Sequence, residues 1–128
     1  MNEEQVSDFL NTYAEVLSRA DAGAMARLWN VPALVVGGGQ VIAVGSPAET
    51  EQFFMQSFAQ YHASGVQTAI PAEPRVALLS DSVASVAVHW IHENADGLEV
   101  GAEDAFYILA RDSGSSDIRV VFYTPIEH

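Results

Sequence analysis

The sequence predicts an α+β fold, a cone in which three helices of the N-terminal half pack on a curved antiparallel sheet of four to six strands. Three observations predict it. Apolar residues recur at helical spacing at the start of the chain, and Gly65 marks a change from helical to extended period. Three long β-rich runs then follow, separated by Ser80-Asp81-Ser82, Asp96-Gly97 and Asp112-Ser113-Gly114-Ser115-Ser116.

Val6, Phe9, Leu10, Tyr13, Val16, Leu17 and Ala20 lie on one stripe and define the first helix. Asp21 is placed to cap a short second helix carrying Met25, Leu28 and Trp29, which Pro32 stops. Leu34-Val35-Val36 and Gln40 to Val44 flank Gly37-Gly38-Gly39, whose glycines accept positive φ and so read as a hairpin turn. A phosphate loop would need a helix directly after the glycines and a Gly-Lys-Ser/Thr ending, and neither is there. Ser46-Pro47-Ala48-Glu49 is a helix start, with Ser as cap, Pro at the first turn and Glu placed to close a capping box. This third helix runs to about Ser64 and carries Phe54, Phe58 and Tyr61 on one face, with Phe53 beside them. Pro71 and Pro74 predict a bend, a bulge or an edge position for the first long strand. The last strand runs from Ile118 to about Thr124.

A chain of 128 residues has the length of one domain, enough to bury roughly two-thirds of its unfolded surface. No repeat or linker divides it, so residues 1–128 are read as one unit. Seventeen Asp and Glu face five Arg and no Lys, a net charge of −12, and that field repels nucleic acid and anionic membranes. The chain has no Cys, which removes disulfides, thiol nucleophiles and zinc–thiolate sites. Asn2-Glu3-Glu4-Gln5 lacks the features of a secretory signal, and no apolar stretch approaches the roughly 20 residues of a membrane span, so a cytoplasmic setting is expected. No metal-ligand spacing and no cofactor fingerprint is present, so no metal or cofactor is expected.

The element order, with Phe9-x-x-x-Tyr13-x-x-x-Leu17, the Asp21 turn with Leu28-Trp29, the Val44-Gly45-x-x-x-Glu49 helix start and the strand pair around Asp112-Ser113-Gly114, resembles the nuclear transport factor 2-like superfamily. That superfamily includes SnoaL-like cyclases and ketosteroid isomerase. The resemblance implies a cystatin-like cone whose helices close a mostly apolar cavity, and a homodimer formed through the outer face of the sheet. It also implies where isomerase residues should stand. The family's oxyanion tyrosine falls on Tyr13, a second pocket tyrosine on Trp29 and a third near Phe54. Its base aspartate falls on Gly37, which accepts no proton, and its oxyanion aspartate belongs on the strand from Val100 to Ala110, where Asp104 stands about one pleat away.

The remaining candidates come from strand parity. Ser82, Ala84, Val86, Val88, Trp90 and His92 form one row, and Val83, Ser85, Ala87, His89 and Ile91 the other. The first row has the larger apolar side chains, which places Trp90 and His92 in the cavity and His89 outside; a one-residue slip would reverse this. Opposed in this way, the two histidines cannot chelate one metal. The ligand-binding set is therefore Tyr13, Trp29, Phe54, Phe58, Trp90 and Phe106, and the candidate catalytic set is Tyr13, Asp104 and His92. Each of the latter has a plain alternative: Tyr13 as a core aromatic, Asp104 as part of a frayed strand start beside Glu103, His92 as a solvated strand end. Two functions fit. One is a protein that binds a small hydrophobic molecule in an aromatic pocket. The alternative is a SnoaL-like isomerase, cyclase or hydrolase working by general acid/base chemistry.

Overall fold

The first helix forms where the apolar stripe predicts it. In a computed structural model of the chain, which describes residues 1–112 and 114–126, α1 spans Glu3–Arg19 and buries Val6, Phe9, Leu10, Tyr13, Ala14 and Val16. Asn2 caps it: its Oδ1 accepts the Gln5 N–H at 2.8 Å while the Gln5 Oε1 accepts the Asn2 N–H at 3.0 Å. Ala20 ends it in the left-handed region, at φ 54°.

The second helix, α2, is Ala22–Arg27, with Asp21 Oδ1 accepting the Ala24 N–H at 3.0 Å. It stops before the predicted end at Pro32. Trp29 instead opens strand β1 (Trp29–Gly37), and the Leu28 carbonyl accepts the Val120 N–H of the last strand at 2.9 Å. Spacing at 25, 28 and 29 satisfies a helix and a helix–strand junction equally, and the sheet ladder decides. β1 turns through Gly38 and Gly39, at φ 58° and 76°, into β2 (Gln40–Val44), as a two-residue hairpin requires.

Ser46 Oγ accepts the Glu49 N–H at 3.2 Å and starts α3 (Pro47–Ala63). The predicted box does not close on Ser46, because the Glu49 carboxylate takes the Gly45 N–H at 2.7 Å, one residue earlier. Four strands follow: β3 (Thr68–Leu78), β4 (Val83–Glu93), β5 (Glu99–Ala110) and β6 (Arg119–Ile126). Ser113, in the predicted loop before β6, lies outside the described residues.

The six strands form one sheet in the order β2-β1-β6-β5-β4-β3. It is antiparallel except where β1 and β6 run parallel, which the predicted all-antiparallel sheet did not include. A parallel neighbour needs a long crossover, and the chain from β2 to β5 supplies it. The register shifts between Trp29 and Leu34 in β1, across Pro32, and between Ala72 and Arg75 in β3, across Pro74. Both prolines lack the N–H that a continuous ladder would use. β3 is also an edge strand, so Pro71 and Pro74 receive both the bulge and the edge expected of them. Further shifts at His92/Glu93 and Ile108/Leu109 help to bend the sheet around the helices.

The concave side carries the core. Ala84, Val86, Val88, Trp90 and His92 of β4 alternate with half-buried neighbours on the other face, as the parity argument required. In β5 the inward row is Glu103, Ala105, Tyr107 and Leu109. The register divides this face along the strands. Ala84, Leu109 and Val120 make a closed aliphatic end with no exposed surface, and Trp90, Glu103 and Tyr123 lie toward an aromatic end. Among the described residues, no helix is long and apolar enough to cross a membrane.

Two site assignments change with the parity of β5. Asp104 and Phe106 were expected in the cavity, and both point to the outer face. Phe106 stacks edge-on with Phe122 at 6.3 Å, and Asp104 Oδ1 lies 2.6 Å from His89 Nδ1. Both faces of β5 are apolar in the sequence, so hydropathy alone does not choose between them; pairing with β4, which sets Trp90 opposite Glu103, does.

Candidate functional site

The aromatic end of the cone encloses a cavity of about 70 Å³. α1 contributes Tyr13, Leu17 and Ser18; α3 contributes Phe53, Phe54, Ser57, Phe58 and Tyr61; the sheet contributes Trp29, Ala69, Trp90, His92, Glu103, Tyr107 and Tyr123. Exposed His62 and Gln67 lie at the rim, between the end of α3 and the start of β3. The four tyrosines and two tryptophans of the chain all line this one space. Tyr13, Trp29, Phe54, Phe58, Trp90 and His92 are therefore brought together as the sequence predicts.

The helices place these side chains by spacing. Phe54, Phe58 and Tyr61 project from one face of α3 because residues three or four apart share a face. Trp29 meets Phe54 edge-on at 5.4 Å, and Phe54 meets Phe58 at 5.8 Å. From the other side Tyr13 reaches Trp90 at 6.0 Å and Tyr107 at 5.5 Å. Tilted and edge-on pairs at these distances let the positive ring edges meet the negative faces.

The polar tips inside the aromatic shell are paired. The Trp29 indole N–H donates to the Tyr13 hydroxyl at 3.2 Å, and the Trp90 indole N–H donates to the Tyr107 hydroxyl at 3.0 Å. Tyr61 and Tyr123 each donate their hydroxyl proton to Glu103, one to each carboxylate oxygen, both at 2.8 Å. Burial raises all four phenols above the ordinary tyrosine value, and the Glu103 charge adds to the rise. They therefore stay protonated at neutral pH and act as donors. His92 packs against the Tyr61 ring at 5.1 Å; burial lowers its pKa, and the Glu103 charge opposes this more weakly.

Glu103 is the acidic residue of the site, and it stands next to the predicted Asp104. Parity puts Glu103 in one row with Ala105, Tyr107 and Leu109, but only the pairing of that row with Ala84, Val86, Val88 and Trp90 of β4 turns it inward. Tyr107 and Tyr123 were missed for the same reason. Gly37 has the inward parity of Ala33 and Val35, but a Cβ there would lie 2.9 Å from Pro125 Cδ. The position therefore lacks room for a base as well as lacking a side chain. Among the described residues, no cluster of His, Asp and Glu could hold a metal ion.

Comparison with known proteins agrees with this architecture. The sequence profile of the family described as "NTF2-like protein (DUF6841)" matches residues 2–126. Aln2 from a Streptomyces species superimposes with a TM-score of 0.74 at 19% identity, covering 98% of this chain and 91% of its own. An NTF2-like protein with a cystatin-like fold from Novosphingobium aromaticivorans gives 0.72 at 15% identity, covering 95% and 79%. A cystatin-like protein of unknown function from Nostoc punctiforme gives 0.74 at 10% identity, covering 96% and 88%. At these identities the likeness shows the fold. A comparison with curated proteins gave no match.

Proposed function

The chain belongs to the NTF2-like protein family DUF6841, and from that premise we propose that it binds a small hydrophobic molecule in the aromatic cavity between α1, α3 and the sheet. The observation that carries this reading is the gathering of every tyrosine and tryptophan of the chain around one space that also contains a carboxylate. The volume of about 70 Å³ is small beside the several hundred of a drug-sized pocket, so the ligand is compact.

Thermal-shift screening of a panel of small hydrophobic amines, alcohols and carbonyl compounds tests this, with Ser57→Phe as a variant that fills the cavity from α3. At least one compound should raise the melting temperature of the native protein and leave that of Ser57→Phe unchanged. Equal shifts in both proteins, or none in either, contradict the proposal.

A second reading is supported by Glu103, His92 and Tyr13 lining the same cavity. In it Glu103 or His92 moves a proton on the bound molecule and Tyr13 stabilises the developing oxyanion. It predicts turnover that disappears in Glu103→Gln or in His92→Gln while the fold is retained.

The outer sheet face carries Leu34, Val36, Phe106, Ile108 and Phe122 side by side. Covering that patch with the same patch of a second copy is the proposed quaternary state. Light scattering at micromolar concentration should give a dimer mass; a monomer contradicts it.

A further inference from the structure

We infer that the cavity selects a small organic cation, an alkylammonium, over neutral and anionic molecules of the same shape, with Glu103 as the counter-charge. This rests on the reading of the cavity as a binding site and deepens it. Three features of the site support it.

The first is the donor and acceptor account. The two indole N–H groups are engaged by Tyr13 and Tyr107, and the hydroxyl protons of Tyr61 and Tyr123 by Glu103. A carboxylate offers roughly four lone-pair sites, and the two tyrosines occupy one on each oxygen. What remains open around Glu103 is acceptor capacity on the carboxylate and on the phenol oxygens that donate to it, while the hydroxyl protons of Tyr13 and Tyr107 are donors outside that pair. A ligand that brings N–H donors is matched at the Glu103 end.

The second is charge. Glu103 is the single acidic side chain of the lining, and no Arg accompanies it among the described residues. The chain has no Lys to supply one. Of the two histidines, His62 is exposed at the rim and His92 is held toward its neutral form by burial. The negative charge is met by hydrogen bonds and by no fixed cation inside the site. The net charge of −12 adds an attractive field for a cation approaching from solvent.

The third is the wall. Tyr61, Tyr107 and Tyr123 surround the carboxylate end, and Tyr107 and Tyr123 lie 5.4 Å apart. Ring faces attract an ammonium group through their quadrupoles, and the effect grows when the group is desolvated. Around Trp29, Phe53, Phe54 and Phe58 the wall is apolar and suits an alkyl tail. The small cavity suits a short or branched chain.

The test uses three ligands that carry the same isobutyl group on an amine, a hydroxyl and a carboxylate: isobutylamine, isobutanol and isovalerate. Each is titrated at neutral pH into the full-length protein, with intrinsic tryptophan fluorescence as the readout. The amine should bind at least about tenfold more tightly than the alcohol, with no saturable signal from the carboxylate. In Glu103→Gln, with folding checked by circular dichroism, the amine should lose that advantage and come within about twofold of the alcohol. Alcohol or isovalerate binding as tightly as the amine overturns cation selection and leaves the binding reading standing. No saturable signal from any of the three overturns both. The native-protein series decides the matter even if Glu103→Gln does not fold.

Discussion

At the scale of single residues, the site is organised by hydrogen bonds between its aromatic side chains and from them to Glu103. Tyr107 is 4% exposed and its hydroxyl accepts the Trp90 indole N–H. Tyr107→Phe keeps the ring and strands that donor in an aromatic shell, at a cost of about 1–3 kcal/mol. Urea denaturation of the two proteins measures it, and an unchanged midpoint would show that the hydroxyl is not needed. His92 makes a pH prediction of definite sign. Burial lowers its folded-state pKa, so above the unfolded value of about 6.5 the ring is neutral in both states and stability is intact. As pH falls below that value the unfolded chain takes the proton first, and stability is lost until the folded ring also protonates. Between about pH 7.5 and pH 5 the native protein should therefore lose more stability than His92→Gln, which isolates this group from the titrating carboxylates. These residues were unequally legible. Tyr13, Trp90 and His92 announced themselves by helical or strand parity. Glu103 did not, because an acidic residue beside Asp104 at a strand start reads as surface until the partner strand fixes the register.

At the scale of elements, local chemistry predicted most boundaries and the sheet overruled one. Asp21, Ser46 and the glycines at 38 and 39 act as the sequence suggests, because a cap or a positive φ needs only neighbouring backbone. Asp21→Ala should cost about 1 kcal/mol, the worth of one helix N-cap, and thermal denaturation checks it. No loss would mean that packing alone holds α2. The end of α2 was not legible, since Leu28 and Trp29 fit a helix face and the Leu28 carbonyl is claimed by β6, a strand far along the chain. The faces of β5 were ambiguous for a related reason. Phe106 and Ile108 on one side and Tyr107 and Leu109 on the other are equally apolar, and only pairing with Trp90 and His92 separates them. Pro71 and Pro74, by contrast, restrict the backbone directly, so the broken register of β3 was predictable from the residues alone.

At the scale of the whole molecule, the cone is divided between an aliphatic end that stabilises it and an aromatic end that leaves space. Pro125 occupies the space beside Gly37, and the carboxylate that lines the cavity comes from β5 at Glu103, held by tyrosines from α3 and β6. The order of elements carried enough information to predict the architecture, whereas the parallel contact of β1 with β6 joins segments too distant for any local pattern to report. The central claim is that this aromatic end is a binding site. Nuclear magnetic resonance of the native protein during an isobutylamine titration tests it most directly, because the two indole N–H groups of the chain both belong to the cavity. The account predicts saturable shifts of the Trp29 and Trp90 indole resonances with the outer-face amides of Phe106 and Phe122 unmoved. Unchanged indole resonances, or shifts confined to the outer face, would contradict it.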